Sequence, residues 1–307
     1  MRIVKPVGTY FLKIFFFPLS KLPLRVHYFL AGGLAWIAGT LVRYRKSDVM
    51  INLSRAFPEK NYREIKELTK DFYRHFADVF AEAVWFGGCR NPKRLRKARI
   101  MEVVNPEVLE PFKTGDKSIM VMYSHCGNWE LFGGIENYFP EGESPFSEQN
   151  FCVVYRKMSS AAWDAFFRDN RFAPLHDRKH FEGYLESKSV VRYVLEHRSE
   201  KKCYNVNTDQ RPYYNGSDNI EVSFMGQRCR TMSASAALAR KFAMPVFFLR
   251  MDIAPARGHY QLKYVPLCED ASRLSVQEIM DKYYALLEEE IREQPANYLW
   301  SHRRWNH

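Results

Sequence analysis

No C-x-x-C pair occurs in this 307-residue chain: its six cysteines, Cys89, Cys126, Cys152, Cys203, Cys229 and Cys268, are scattered. That spacing argues against a zinc knuckle or a disulfide-stapled secreted fold and fits free thiols in a reducing compartment. Histidines supply no metal set either, because His302 with His307, and His176 with His180, have no carboxylate or thiol partner at ligand spacing. No metal or cofactor is expected. Internal repeats and low-complexity tracts are also missing, as is any linker rich in Gly, Pro or Ser beyond the N-terminal segment. Long apolar runs are absent too. The uncharged stretch from Val26 to Val42 is only 17 residues, at the short edge of what can cross a bilayer. A cleaved signal peptide fits poorly, since no small-residue cleavage site precedes a clear mature start.

What is present is apolar and basic. Hydrophobic residues make up 46% and aromatics 15%, which excludes disorder. Forty-six Lys and Arg against 35 Asp and Glu give a formal charge of +11, a field that favours anionic partners. No nucleic-acid motif appears, so the partners expected are lipid headgroups or an acidic carrier protein. Residues 7–19 and 22–42 are apolar, bracketed by Lys21, Arg25, Arg43, Arg45 and Lys46, with Trp36 inside. Such bracketing predicts membrane attachment, by a short spanning helix or one lying in the interface, against the alternative of a buried core helix. Residues 1–46 are therefore read as a membrane anchor and 47–307 as one further domain. The KRLRKAR run at 93–99 reads as a solvated face, or as a surface for an anionic bilayer or acidic carrier.

Periodicity supplies the fold class. Residues 61–86 carry apolar positions at helical spacing. Strands are expected at 118–123, 151–155, 203–206 and 246–251, with a further strand at 259–266, antiparallel at a sheet edge. Helices are expected at 161–172, 181–198, 232–242 and 275–293. Alternating strands and helices predict an α/β fold with a central, mostly parallel sheet flanked by helices.

The chemistry concentrates in Ser124-His125-Cys126-Gly127-Asn128-Trp129-Glu130. His125 would stand at the carboxyl end of a strand, where open α/β sheets place their ligands. Five residues on a continuous helix rotate about 500°, so Glu130 can meet His125 only if the histidine precedes the helix. Gly127 supplies the freedom for that turn. A neutral imidazole can then take the proton of an attacking hydroxyl, with Glu130 fixing its tautomer. Backbone N–H groups near Gly127 and Asn128 are candidates for the oxyanion. The bland alternative is a structural pair capping a helix. Asn128 either holds the turn or binds substrate; Trp129 reads as core. Ser124 and Cys126 are not expected to be nucleophiles, because adjacent residues rarely face each other. Arg156, Arg171 and Arg211 are candidates for gripping phosphate or phosphopantetheine, since a guanidinium fork matches phosphate oxygens. Asp209 could orient a substrate hydroxyl or pair with an arginine.

At these residues the chain resembles the late acyltransferases of lipid A biosynthesis, within the broader glycerolipid acyltransferase group. That family's His-x-x-x-x-Asp/Glu motif falls on His125 to Glu130, here with Asn128-Trp129 inside it. Asn52-Leu53, Phe57-Pro58, Val154-Tyr155-Arg156, Asp209-Gln210, Phe224-x-Gly226, Leu238-Ala239 with Pro245-Val246, and Tyr298-Leu299-Trp300-x-His302-Arg303-Arg304 follow in similar order. Cys126 and Arg211-Pro212 depart from the pattern. The resemblance implies acyl transfer from an acyl carrier protein or coenzyme A thioester to a hydroxyl of a lipid A precursor or related glycolipid, at the cytoplasmic face of a bacterial inner membrane. An amino-acid lipid or lysophospholipid acceptor is the alternative within that chemistry. A non-catalytic basic membrane-binding protein is the alternative outside it.

Overall fold

A computed structural model describes residues 6–212 and 220–305; His307 lies outside them. Helices α1 (Val7–Ser20), α2 (Leu24–Trp36), α3 (Lys46–Ala56), α4 (Tyr62–Phe86) and α5 (Pro92–Ala98) come first, with a π-helical turn, Ile37–Leu41, after α2. Then follow β1 (Met101–Val103), β2 (Ile119–Tyr123), β3 (Phe151–Tyr155), α6 (Ala161–Arg171), β4 (Tyr184–Glu186), α7 (Val190–Glu196) and β5 (Cys203–Asn207). The chain closes with β6 (Ile220–Phe224), β7 (Gln227–Thr231), α8 (Ala234–Lys241), β8 (Val246–Ile253), β9 (Tyr260–Cys268) and α9 (Val276–Glu293).

Seven strands form one sheet in the order β1-β9-β8-β2-β5-β3-β4. Every neighbouring pair is parallel except β8 with β9. The mostly parallel α/β expectation is met, and the strand at 259–266 is antiparallel to its β8 neighbour, but it is not at the edge: β1 pairs parallel on its other side and is the edge strand. Central β2 shows why the class was readable. All five of its residues are buried, Met120 and Met122 in one core and Ile119, Val121 and Tyr123 in the other. A parallel strand covered on both faces must be apolar throughout. Residues 181–198 correct the expectation: instead of one helix they make β4 and then α7. Tyr184 and Leu185 pair with Val153 and Val154 at the sheet edge, so tertiary pairing overrides a helical pattern. The hairpin β6–β7, which the pattern did not suggest, turns on Met225 and Gly226, both at positive φ, as the right-handed twist of paired strands requires.

Helix α4 begins at an Asn61–Glu64 capping box and α9 at a Ser275–Glu278 one, each satisfying N–H groups the helix cannot use. Small residues let α2 approach α4, with Ala31 and Ala35 against Ala77 and Ala81. Among the described residues no helix is long and apolar enough to cross a membrane, so the anchor expected at 1–46 is not seen as a span. Residues 7–20 and 24–41 instead present large apolar side chains to solvent, Phe11, Ile14, Phe15, Phe29 and Leu41 among them. All six cysteines are free.

Candidate active site

Strand register creates the site. Parallel β2 and β5 are neighbours, and Tyr123 pairs with Asn207 at their carboxyl ends. One more ladder bond, from Thr208 N to Tyr123 O at 3.0 Å, carries the two chains on in step. His125 and Asp209 each lie two residues past the paired ends, so they emerge side by side. His125 Nδ1 is 2.8 Å from Asp209 Oδ1, and both residues are buried. The Asn207 and Gln210 side-chain amides lie 3.1 Å from His125 Nε2. Amide N–H groups donate, so Nε2 carries the lone pair and Nδ1 carries the proton that it gives to Asp209. Burial would raise the Asp209 carboxyl, but the charge and hydrogen bonding of His125 hold it below the ordinary value.

The carboxylate on the imidazole is thus Asp209. Glu130, expected in that place, accepts two bonds from Arg171, at 2.6 Å from Nε and 2.5 Å from Nη2. The reason is local. Residues Trp129–Tyr138 form a 3₁₀ helix, capped by Asn128 Oδ1 accepting from Glu130 N at 3.1 Å. Three residues per turn aim Glu130 at the end of α6 rather than back at the histidine. Arg171 stacks near Phe167 and Tyr184, and its fork is spent on Glu130 rather than presented as a phosphate grip. Trp129, expected as core, packs edge-on to the His125 ring with centroids 4.9 Å apart.

Gly127 has φ +62°, and an added Cβ would lie 2.0 Å from Met251 Sδ on β8. Only glycine fits that turn. The amides expected to receive an oxyanion are already engaged: Gly127 N donates to Asn297 Oδ1 at 2.7 Å and Asn128 N to Met251 Sδ at 3.1 Å. Asn128 is fully buried and its Nδ2 donates to Val79 O and Glu82 Oε2, so it holds the turn and leaves no group for substrate. Glu82 also accepts from Tyr28 and Tyr260, and burial pushes its carboxyl up to about 7. Ser124 Oγ accepts from Cys126 N, and burial pushes the Cys126 thiol well above its ordinary value.

The C-terminal segment completes the wall. Tyr298 bridges Cys126, Asn52 Nδ2 donates to Trp300 O and His302 O at 2.8 Å each, and Arg303 pairs with Asp48. Arg304 is buried, donating to Arg230 O and the Tyr284 hydroxyl, so this end is docked as expected. His302 lies within the electrostatic reach of His125 and Asp209; burial pushes it down to about 4, and its Nε2 is buried without a hydrogen-bond partner. Arg156 and Arg211 are exposed just beyond the carboxyl ends of β3 and β5, on the same end of the sheet as His125. Sequence reading missed Asn207 and gave Gln210 and His302, both visible as landmarks, no place at this site. The Asp209-Gln210 pair was visible as a landmark, but nothing in the one-dimensional pattern said that β5 lies beside β2.

Among curated proteins, none matches this chain directly. The family model for the bacterial lipid A biosynthesis acyltransferases, in contrast, matches residues 1–307. With a histidine–carboxylate pair standing at the carboxyl end of a parallel sheet and a family match over its full length, the chain belongs to the bacterial lipid A biosynthesis acyltransferases and is an acyltransferase.

Proposed function

We propose that the protein transfers a fatty-acyl chain from a thioester, carried by acyl carrier protein or coenzyme A, to a hydroxyl of a lipid A precursor at the cytoplasmic face of a bacterial inner membrane. The observation that carries the reading is the buried His125–Asp209 pair, 2.8 Å apart, with Nε2 left as the proton acceptor. The acceptor hydroxyl gives its proton to Nε2 as its oxygen bonds to the thioester carbonyl carbon. Asp209 keeps the ring in that tautomer and stabilises the imidazolium. The Asn207 and Gln210 amides donate to that nitrogen in the free protein; displaced by the incoming hydroxyl, they become free to donate to the developing oxyanion. Collapse breaks the C–S bond, and the imidazolium returns its proton to the departing thiolate. Glu130 and Arg171 brace this end of the sheet. Exposed apolar side chains on α1, α2 and the π-turn support a helix layer lying against the bilayer surface.

The purified full chain, given an acyl carrier thioester and a panel of lipid A precursors, an amino-acid lipid and a lysophospholipid, should acylate a lipid A precursor. His125→Ala should lower the rate at least a hundredfold while folding persists. Wild-type turnover by a folded His125→Ala chain would refute the assignment, and acylation of the lysophospholipid alone would refute the acceptor.

A further inference from the structure

One cavity has none of the residues around His125 in its lining. With a volume of about 550 Å³, it opens between the end of α2 with its π-turn, the start of α3, and α4. Its walls hold four cations, Lys46, Lys66, Lys70 and Arg74, and no acid. Two aromatics at its edge are largely exposed, Trp36 at 60% and Tyr62 at 71%. On α4 the positions 62, 66, 70 and 74 recur every four residues. They make one ridge about 18 Å long.

Like charges at i, i+4 destabilise a helix, so a ridge of three cations is a cost unless something anionic meets it. Lys70 and Arg74 offset part of it through Glu67 and Asp71, each at i−3, and Lys46 donates to Gly39 O at 3.1 Å. Those acids do not line the cavity. The opposite wall continues into exposed apolar surface, since Trp36 belongs to both and Ile37, Leu41 and Val42 follow it. A cationic trough beside an apolar, Trp-bearing rim has the chemistry of a phosphate headgroup with chains attached. An acidic carrier protein would match the charge but not the apolar rim.

We propose that this cleft seats the headgroup phosphate of an anionic phospholipid, so that the enzyme is held at the membrane by a lipid distinct from its substrates. The inference rests on the membrane-surface reading above, but not on the chemistry assigned to His125.

The test is binding of the purified full chain to vesicles of phosphatidylcholine alone or mixed with phosphatidylglycerol. Each cation near an anionic surface is worth about a factor of five, so Lys66→Gln/Lys70→Gln/Arg74→Gln should weaken binding to the mixed vesicles on the order of a hundredfold. Binding to neutral vesicles and acyl transfer in detergent should be unchanged. A control on α5, Lys93→Gln/Arg96→Gln/Lys97→Gln, should lose far less. Equal losses in the two variants would overturn the site in favour of diffuse charge. Unaltered vesicle binding with a raised KM for the carrier thioester would overturn it in favour of carrier docking. Phosphatidylglycerol with brominated chains should quench a share of the fluorescence that Trp36→Phe removes, and an unchanged share would also count against the cleft. A wild-type chain that binds in this way yet transfers no acyl group would refute the proposed function and leave the cleft standing.

Discussion

Replacing Asp209 by Asn tests the site at its centre. The carboxylate lies 2.8 Å from Nδ1 and is fully buried, so its loss removes both a charge and a tautomer lock. At a charge separation of ~4 Å and an effective dielectric of ~20, the carboxylate stabilises an imidazolium by ~4 kcal/mol. That is roughly three powers of ten in rate. An asparagine can also turn its amide toward Nδ1 and donate, which shifts the ring proton to Nε2 and removes the base altogether. Steady-state acyl transfer by Asp209→Asn should therefore show kcat down about a thousandfold with KM little changed. Glu130→Gln makes the contrast. It leaves the His125–Asp209 pair intact but strands Arg171, so it should cost about 3 kcal/mol of stability while lowering kcat much less. Glu130→Leu/Arg171→Leu, which removes both charges, should regain most of that stability. If folded Asp209→Asn works within tenfold of wild type, or Glu130→Gln abolishes turnover with an unaltered unfolding temperature, the assignment of the two carboxylates is wrong.

Gly127→Ala forces a side chain into positive φ and against Met251 Sδ, so it should cost roughly 2 kcal/mol or more, with Met251→Ala relieving part of that in thermal unfolding. Glu290 is buried with one oxygen on Met251 N and the other unpartnered, and burial pushes its carboxyl up to about 8. Its folded value lies above the unfolded one, so stability is full at low pH and is lost as pH rises from about 4.5 to 8. Glu290→Gln should therefore be the more stable protein at pH 8 and no better at pH 4; a lower unfolding temperature at pH 8 would contradict this. Cys126→Ser should keep wild-type turnover in the acyl-transfer assay, since burial keeps the thiol protonated.

The fold was legible where one local pattern decides it. Buried β2 reads as a five-residue apolar run, and Asn61 with Glu64 or Ser275 with Glu278 announces a helix start. Residues 181–198 were not legible, because Tyr184 and Leu185 owe their strand to Val153 and Val154, about thirty residues upstream. The site divides the same way. His125 and Gly127 follow from strand, turn and helix within one segment. Asp209 needs the order of strands in the sheet, since it meets His125 only because β5 lies beside β2 in the Tyr123–Asn207 register. Glu130 lies on Arg171 and not on His125 for a shorter-range reason: a 3₁₀ turn points it elsewhere than an α turn would.

The tail is where local and long-range effects meet, and Asn52 is its simplest probe. Asn52 is buried on α3, and its Nδ2 is shared between Trp300 O and His302 O. Arg45 donates to Ser301 O between them, and the partly exposed Arg303–Asp48 pair lies just beyond. Upstream in the same segment, Asn297 accepts from Gly127 N and donates to Met251 O. A loose tail would thus release the turn that carries His125 as well as the His302 ring, which lies within the electrostatic reach of Asp209. Asn52→Ala leaves two carbonyls without their donor, about 2 kcal/mol in all. It should raise amide exchange across 297–305 and at Gly127 together, and lower turnover at temperatures where the core is intact. Asp48→Asn, which removes a partly exposed ion pair, should do little of either. If exchange in the tail rises while Gly127 and turnover stay at wild-type values, the C-terminal segment is a cover for the core and not a support for the catalytic turn.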